Sequence, residues 1–233
     1  MMEEIDKANR FSYEKVCELR SEIALLGLPR TLSVVTTGSF GRREAHELSD
    51  IDYYILVDNR GMVISQDYIY SVKDTIDGIV RRVGKRPSEG GAFGGFESIE
   101  EMLINIGGSK DDNDKITRRI LLLLEGDWLF NEELFIKTRR RLLHRYIGDS
   151  IKKENIARFL LNDIIRYYRT ICVDFEYKTF EARKDWGTRN IKLVYSRKML
   201  YISGIVCVAE TADQEDKISV VENLIKEPPD PKG

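Results

Sequence analysis

Residues 36–58, TTGSFGRREAHELSDIDYYILVD, are the part of the chain from which the fold is predicted. An apolar run with two valines, at 32–35, leads into a Gly-Ser pair, and a second apolar run, Tyr53–Val57, follows two aspartates. Both runs are short and rich in β-branched or aromatic residues, which is typical of strands. The sequence therefore predicts a strand, a tight turn, a short helix at 40–45 and a second strand.

Asp50 and Asp52 lie at the start of the second predicted strand. Residues i and i+2 of a strand point to the same face, so the two carboxylates share one side and Ile51 points to the other. Carboxylates this close repel each other unless a cation lies between them, and oxygen ligands favour Mg²⁺, with Mn²⁺ as the alternative. We therefore predict a metal site, with Ser49 orienting Asp50 or capping the strand. The other interpretation is a turn whose aspartates are solvated caps.

The Gly-Ser pair has the properties of a phosphate site. Gly38 permits a left-handed backbone and the close approach of a ligand. The N–H groups at the start of the short helix would face an anion, next to Ser39. Arg42 and Arg43 add guanidinium groups, whose fork geometry suits phosphate oxygens. The predicted ligand of the motif is a metal-bound nucleoside triphosphate.

The order Gly-Ser, ten residues, Asp-Ile-Asp and a hydrophobic strand resembles the signature of the polymerase-β-like nucleotidyltransferase superfamily. In the form GSFGRREAHELSDID it is most similar to the branch that contains the protein-uridylylating, PII-modifying enzymes and their uncharacterised relatives. The resemblance implies an α+β fold with a small mixed-sheet catalytic core (αβαβα-like) at 1–110, followed by a helical domain at 111–233. An N-terminal helix at 3–27 is predicted to pack on the core or on the helical part.

The same resemblance implies a reaction. A nucleoside monophosphate would pass from the triphosphate to an acceptor hydroxyl, with release of pyrophosphate, and Mg²⁺ or Mn²⁺ would be the cofactor. A protein is the favoured acceptor, while a small molecule or an RNA end is an alternative, although the chain has no recognisable RNA-binding motif. A third interpretation is an NTP-binding regulator without transfer activity. Resemblance in fold alone does not choose among these functions.

A third carboxylate completes the two-metal site in many members of the superfamily. The third strand is predicted at 92–96, in the Gly-rich stretch GGAFGGFES, so Glu97 is the candidate catalytic residue and Glu89 a poorer one. The alternative is that Glu97 belongs to the beginning of a helix at 98–106. Without a third carboxylate at the metals, the protein would bind nucleotide but not transfer it.

Apolar periodicity predicts further helices at 65–83, 116–126, 131–146, 151–175 and 189–208. The helix at 151–175 is predicted to have a core face drawn from Ile156, Phe159, Leu160, Asp163, Ile164, Tyr167, Ile171 and Val173. The last helix is predicted to bury Ile191, Val194, Met199, Ile202 and Val206. Between the two parts of the protein, the loop GGSKDDNDK at 107–115 is interpreted as a boundary with its acids in solvent.

The second half of the chain is basic. Residues 137–198 carry 17 Lys and Arg and 7 Asp and Glu, hence a net charge of +10 in a chain of −2 overall. We predict a positive helical wall that faces the acidic catalytic half. By resemblance of NDIIRYYRT and WGTRNIKLVYSRK to helices of the family, the candidates for contact with triphosphate or acceptor are Arg166, Arg169, Arg189, Lys192, Arg197 and Lys198. The other interpretation is a solvated helical face with ion pairs such as Asp163–Arg166.

Composition excludes several other classes of function. Three dispersed cysteines, Cys17, Cys172 and Cys207, with no CxxC favour a reducing cytoplasm and disfavour a disulfide framework. Two histidines make a His-based metal site a poor choice. The acidic start MMEEIDKANRF is unlike a signal peptide, and the apolar run at 120–124 is too short to span a bilayer. A Walker-type ATPase and a Rossmann site are disfavoured, since there is no GxxxxGK[ST] and GAFGGF follows a helix.

Overall fold

The computed structural model describes residues 2–60, 64–85, 95–104, 106–148, 152, 155–183 and 185–225. The described residues form strands β1 Leu32–Thr36, β2 Tyr53–Val57, β3 Phe96–Ser98 and β4 Asp127–Phe130. Their α-helices are α1 Met2–Ala24, α2 Gly38–Gly41, α3 Gln66–Val83, α4 Ile99–Leu103, α5 Asn113–Leu124, α6 Glu132–Tyr146, α7 Arg158–Glu176, α8 Trp186–Ile191, α9 Lys198–Ala209 and α10 Lys217–Leu224. Two π-helical turns, Tyr177–Glu181 and Lys192–Arg197, follow α7 and α8. The prediction of an α+β protein is confirmed.

The four strands form one mixed sheet in the order β3-β2-β1-β4. β1 is antiparallel to both β2 and β4, whereas β2 and β3 are parallel. In the β1–β2 ladder Leu32 pairs with Val57, and Thr36 pairs with Tyr53. The end of β1 therefore lies beside the start of β2, and the two halves of the 36–58 motif meet at one end of the sheet.

One face of the sheet packs against α1 and α3. Alternate residues of β1 and β2 contribute to this core, as expected for strands with period 2. The apolar cluster includes Val16, Leu19, Ile23, Leu32, Val34, Tyr53, Ile55, Val57, Val72, Ile76 and Val80. The other residues of β1 and β2 are buried as well, so both faces of the sheet are covered. The two central strands are consequently a rigid support for the turn that joins them.

The sequence predicts no element at 127–130, where the structure has β4. This strand extends the sheet beyond β1, with Asp127 opposite Thr36, and its register shifts between Val34 and Val35. Four residues between two helices contain too little alternation for a period of 2 to be recognised. β3 lies at Phe96–Ser98, mostly beyond the predicted strand at 92–96, whose first three residues lie outside the described part of the chain.

The chain divides into two compact units. The first, which contains the sheet, consists of Met1–Ile106 together with Leu121–Arg139. The second is helical among its described residues and consists of Gly107–Ile120 together with Arg140–Lys226. The segment that contains β4 thus belongs to the first unit, although the segment before it, Gly107–Ile120, belongs to the second.

In the helical unit α7 packs along α9. Tyr168 of α7 stacks on Tyr201 of α9, with ring centroids 4.5 Å apart and 14° between the ring planes. The predicted burial of Phe159 and Val173 on α7 is wrong, since their exposed fractions are 71% and 69%. The predicted burial is confirmed for Leu160, Asp163, Ile164 and Tyr167, which form the inner side of this helix.

The predicted helix at 189–208 is helical throughout but contains the π-helical turn between α8 and α9. Its predicted buried side is wrong. Ile191, Val194, Met199, Ile202 and Val206 are all exposed, by 41% to 61%. On α9 the buried side is formed by Leu200, Gly204, Cys207 and Val208. The inward and outward sides are both apolar, so periodicity could not show which one faces the core.

Candidate functional site

The turn after β1 brings the Gly-Ser pair against the Asp-Ile-Asp segment. The backbone N–H of Thr37 and the hydroxyl of Thr36 both donate to the carbonyl oxygen of Asp52, at 3.1 and 2.8 Å. Gly38 follows in the left-handed region with φ 68°. A Cβ atom at this position would lie 2.8 Å from Oδ2 of Asp52. The positive φ favours glycine, and the lack of a side chain lets the backbone pass this close to the carboxylate.

The helix after the turn is shorter than predicted and begins earlier. It is the single turn Gly38–Gly41, in place of the predicted helix at 40–45. Ser39 lies in this turn, half-buried, and its carbonyl accepts the N–H of Glu44 at 2.8 Å. A Cβ atom on Gly41 would lie 2.1 Å from the carbonyl oxygen of Glu125, so a second chain segment presses against the turn. The helix cannot extend in the predicted way, since Arg43 has φ 61°.

The two aspartates precede β2 and are half-exposed, whereas Ile51 between them is fully buried. This burial pattern agrees with the predicted alternation. The N–H of Ile51 donates to the carbonyl of Lys85 at 2.7 Å, and Nζ of Lys85 lies 2.8 Å from Oδ1 of Asp50. An ammonium group thus already compensates one carboxylate of the pair. Ser49 accepts the N–H of His46 at 3.1 Å, which shapes the loop just before Asp50.

Arg42 holds the turn to a buried carboxylate. Its guanidinium forms an ion pair with Oε2 of Glu125, whose side chain is fully buried, and its Nε donates to Glu44 at 2.9 Å. The other oxygen of Glu125, Oε1, accepts the N–H of Gly38 at 2.8 Å. Glu125 therefore fixes both the backbone of the turn and the arginine behind it. A role of Arg42 in binding phosphate stays a prediction.

Arg43 faces a second buried carboxylate. Its Nη2 lies 2.6 Å from Oδ2 of Asp127, while Nη2 of Arg20 lies 2.7 Å from Oδ1 of the same residue. Burial raises the pKa of Asp127, and the charges of Arg43 and Arg20 oppose that effect without cancelling it. Arg43 is itself buried, and its guanidinium lies 5.5 Å from the ring centre of Tyr13. These ion pairs support the turn from its buried side. A contact of Arg43 with phosphate stays a prediction.

Glu97 lies on β3 and is buried. Its backbone pairs with Leu56, so it shares a sheet face with Leu56 and, two and four residues back, with Tyr54 and Asp52. Four residues of strand correspond to about 13 Å. Asp52 lies just before β2, and a contact of Glu97 with a metal at the aspartates stays a prediction. Glu89 lies outside the described residues.

The basic residues predicted from the helical half all lie in the second unit. Lys192 and Lys198 are exposed, and Arg189 and Arg197 are half-buried. Arg166 donates to Oδ1 of Asp163 at 2.9 Å, which agrees with the Asp-Arg pair predicted from spacing. Arg169 borders an open cavity of about 510 Å³, together with Asn113, Arg166, Thr170, Val173, Asp174 and Tyr177.

Arg166 belongs to a buried charge cluster that the sequence does not predict. Its centre is Arg119, which is fully buried and donates to Asp111, Asp163 and the hydroxyl of Tyr146 at 2.7 to 2.9 Å. Burial works to lower the pKa of Arg119, but its hydrogen bonds to Asp111 and to its other partners raise it overall. The interpretation of the 107–115 acids as solvated is wrong for Asp111, whose side chain is 1% exposed.

Lys85, Glu125 and Asp127 are the residues of the site that the sequence does not reveal. Glu125 and Asp127 flank Gly126 in the segment LLLLEGDWLF, and charges inside such an apolar run indicate burial. Their partners in the 36–58 motif lie more than eighty residues away. A local sequence pattern cannot indicate which residue pairs with another more than eighty positions away.

The donor set at the turn is suited to a hard divalent cation. Asp50 and Asp52 offer carboxylate oxygens at partly exposed positions, and the neighbouring Lys85 ammonium shows that a positive charge is stable there. Within the described residues, no group of three His, Cys, Asp or Glu side chains is arranged to hold a metal ion. A metal here would therefore take its protein ligands from the two aspartates and its remaining ligands from water or substrate.

Comparisons with known proteins give no relative for this chain: no family model, no curated protein and no solved structure matches it. None of the helices in the described part of the chain has the length and apolar character needed to cross a membrane.

Proposed function

We propose that the protein is a nucleotidyltransferase that binds a nucleoside triphosphate with Mg²⁺ or Mn²⁺ at the Gly38 turn and passes the nucleoside monophosphate to an acceptor hydroxyl. The observation that carries this proposal is the contact between the two halves of the motif. Left-handed Gly38 lies directly against the carboxylate of Asp52, where a side chain at 38 would clash. A phosphate chain at the turn would thus lie beside a metal held by the aspartates.

Each part of the site has a role in this reaction. Asp50 and Asp52 would hold the cation, with the Lys85 ammonium moving from Asp50 to the phosphates, since it is attached by a flexible and exposed side chain. A bound Mg²⁺ would neutralise charge on the phosphates and on the leaving pyrophosphate. The Ser39 hydroxyl and backbone would position the triphosphate. In the transfer, the acceptor oxygen bonds to the α-phosphorus, the bond to the pyrophosphate oxygen breaks, and the acceptor proton is lost to solvent.

Rigidity supports this assignment, because phosphoryl transfer depends mostly on positioning and charge. Glu125 and Asp127 hold the turn from behind through Gly38, Arg42 and Arg43. The hydrogen bonds of Thr36 and Thr37 fix Asp52 from the side. The turn therefore has little freedom to rearrange when a ligand binds.

A second candidate function is nucleotide binding without transfer. The position of Glu97, opposite Leu56 and remote from Asp52 along the sheet, favours it, because a two-carboxylate site lacks the third ligand common in the superfamily. The acceptor is proposed to be a protein, by the resemblance to uridylylating enzymes, with a small molecule or an RNA end as the alternatives.

The test is a double substitution, Asp50→Asn with Asp52→Asn, and its control is Asp74→Asn, an exposed aspartate on α3. Labelled ATP, UTP, CTP and GTP are offered with Mg²⁺ or Mn²⁺ and a cell extract, and we measure binding, pyrophosphate release and labelled products. The double variant should lose transfer by at least about 10³-fold, since the metal supplies several kcal/mol and each 1.36 kcal/mol is tenfold. The control should match the unmodified protein.

The outcomes separate the two functions. A labelled protein, RNA or small molecule together with pyrophosphate supports transfer and identifies the acceptor class. Metal-dependent binding that the double substitution removes, without pyrophosphate, supports the regulator. Full activity in the double variant would rule out both, because neither function survives without its metal ligands.

A further inference from the structure

The helical unit carries a row of exposed apolar side chains that the proposed function does not use. The row consists of Ile191, Tyr195, Met199, Ile202 and Val206, and is called the apolar stripe below. Their spacings of four, four, three and four residues place them on one side of a continuous helical segment. Each is between 42% and 69% exposed.

The composition of α9 indicates that this side is covered by another surface. Its sequence, KMLYISGIVCVA, is apolar on all sides, which is typical of a helix buried all round. Only the inward side, which includes Leu200 and Cys207, is buried within the chain. The five side chains of the apolar stripe expose surface on the order of 500 Å², the size of the largest apolar patch on a typical monomer, which is often an interaction site.

Charge along the stripe is polarised. Residues 183–198 contain six Lys and Arg against one Asp, whereas residues 199–216 contain four acids and no Lys or Arg. This order is the reverse of what a helix dipole favours, because Arg189 lies in the first turn of the continuous segment 186–209 and Glu210 lies at its end. The pattern therefore does not stabilise the helix itself. It suits a partner whose charges run in the opposite direction.

We propose that the partner is a second copy of this chain, with the two apolar stripes packed antiparallel about a two-fold axis near Met199 and Ile202. Such an interface is isologous, so each complementary contact occurs twice. The basic end of one stripe meets the acidic end of the other, with Lys192 facing Glu210 and Asp213 of the second copy. A parallel arrangement would place like charges opposite each other. The dimer is formed by the helical unit and does not depend on the proposed activity.

The first experiment measures the mass of the full chain in solution by light scattering over a range of concentrations. We expect twice the 27.0 kDa of one chain. Ile202→Lys should raise the dissociation constant at least about 30-fold, as loss of a central interface residue does. Phe159→Lys is the matched control, because Phe159 is exposed on α7 outside the stripe, and it should leave the dimer intact. Circular dichroism verifies that both variants keep their helices.

The second experiment tests the antiparallel orientation by charge exchange. Lys192→Glu and Glu210→Lys should each weaken the dimer, and the chain that carries both should recover most of the lost affinity. A monomeric chain at tens of micromolar would overturn the proposal, as would a dimer that Ile202→Lys leaves unchanged. A doubly exchanged chain at least as weak as either single variant would overturn the antiparallel arrangement.

Discussion

Glu125 has two partners at the Gly38 turn, and they differ in what they require of it. The N–H of Gly38 needs only an oxygen acceptor, which an amide also supplies. Arg42 needs a negative charge, since its guanidinium lies against a carboxylate that is fully buried. Glu44, the other partner of Arg42, is 58% exposed on its side chain and is compensated by water. Loss of the charge on Glu125 should therefore reduce stability more than loss of the charge on Glu44.

We predict that Glu125→Gln lowers the free energy of unfolding of the sheet unit by about 3 kcal/mol, because the half-buried Arg42 guanidinium loses its buried counter-ion and keeps only the exposed Glu44. Glu44→Gln, at the exposed partner of the same arginine, should change it by less than about 1 kcal/mol. The chain has two tryptophans, so urea unfolding can be followed by Trp128 of β4 in a Trp186→Phe background. Equal effects of the two substitutions would contradict the assignment of Glu125 as the buried support.

Among the elements, α2 is held in place by steric exclusion more than by its own hydrogen bonds. It has four residues, and a helix of that length has no stability in isolation. Its position is determined by two close approaches, of Asp52 at Gly38 and of the Glu125 carbonyl at Gly41. At both positions glycine leaves room for the neighbouring atoms because it has no side chain. At position 38 the positive φ is a further reason for glycine.

Gly41→Ala is expected to destabilise the sheet unit by about 2–3 kcal/mol, because its Cβ would lie 2.1 Å from backbone that cannot move aside. Gly78→Ala on α3 is the control. No atom lies within 4 Å of a Cβ at position 78, and alanine in a helix interior is about 0.5–1 kcal/mol better than glycine. In denaturant unfolding, Gly41→Ala should lower the free energy of unfolding and Gly78→Ala should raise it. Destabilisation by both substitutions would contradict the steric explanation.

The elements that the sequence predicts well are those with strong local patterns. β1 and β2 are short apolar runs and α3 has clear apolar periodicity, so these three elements follow from the sequence. β4 has four residues and owes its place to pairing with β1, about one hundred residues earlier in the chain. The burial of Glu125 depends on its contact with Arg42, 83 residues earlier, and that of Asp111 depends in part on Arg166, 55 residues later. Such long-range pairings leave no local signal, so the support of the candidate site could not be predicted.

At the scale of the whole molecule, each unit contains a buried aspartate, and the pKa values of the two aspartates are shifted in opposite directions. In the helical unit, burial raises the pKa of Asp111, but hydrogen bonds from Arg119, Gly107 and Arg166 outweigh it and lower the pKa overall. In the sheet unit, burial dominates and raises the pKa of Asp127. A lowered pKa stabilises the fold above the unfolded value near 3.9 and loses that contribution as pH falls through the folded value. A raised pKa has the reverse effect.

We therefore predict that acidification from pH 5 to pH 3 weakens the helical unit before the sheet unit. Amide hydrogen exchange should show faster opening of α5 and α7 at pH 3, with β1 and β2 less affected. Asp111→Asn should lower protection at pH 5 and reduce its further loss toward pH 3, because the titrating group is gone. Asp114→Asn, an exposed neighbour, should retain the unmodified pH dependence. The prediction fails if Asp111→Asn leaves that dependence unchanged.

The position of β4 has a consequence for synthesis of the protein. The hydroxyl of Ser33 donates to the carbonyl of Phe130, ninety-seven residues later, so the edge of β1 has no strand beside it until β4 has been made. A ribosome adds about 5–20 residues per second, so the nascent β1–β2 pair waits roughly 4–15 s for its last strand. An open sheet edge is a template for pairing with other chains. During translation this protein is thus an expected client of chaperones, and its yield should depend on the speed at which residues 58–130 are translated.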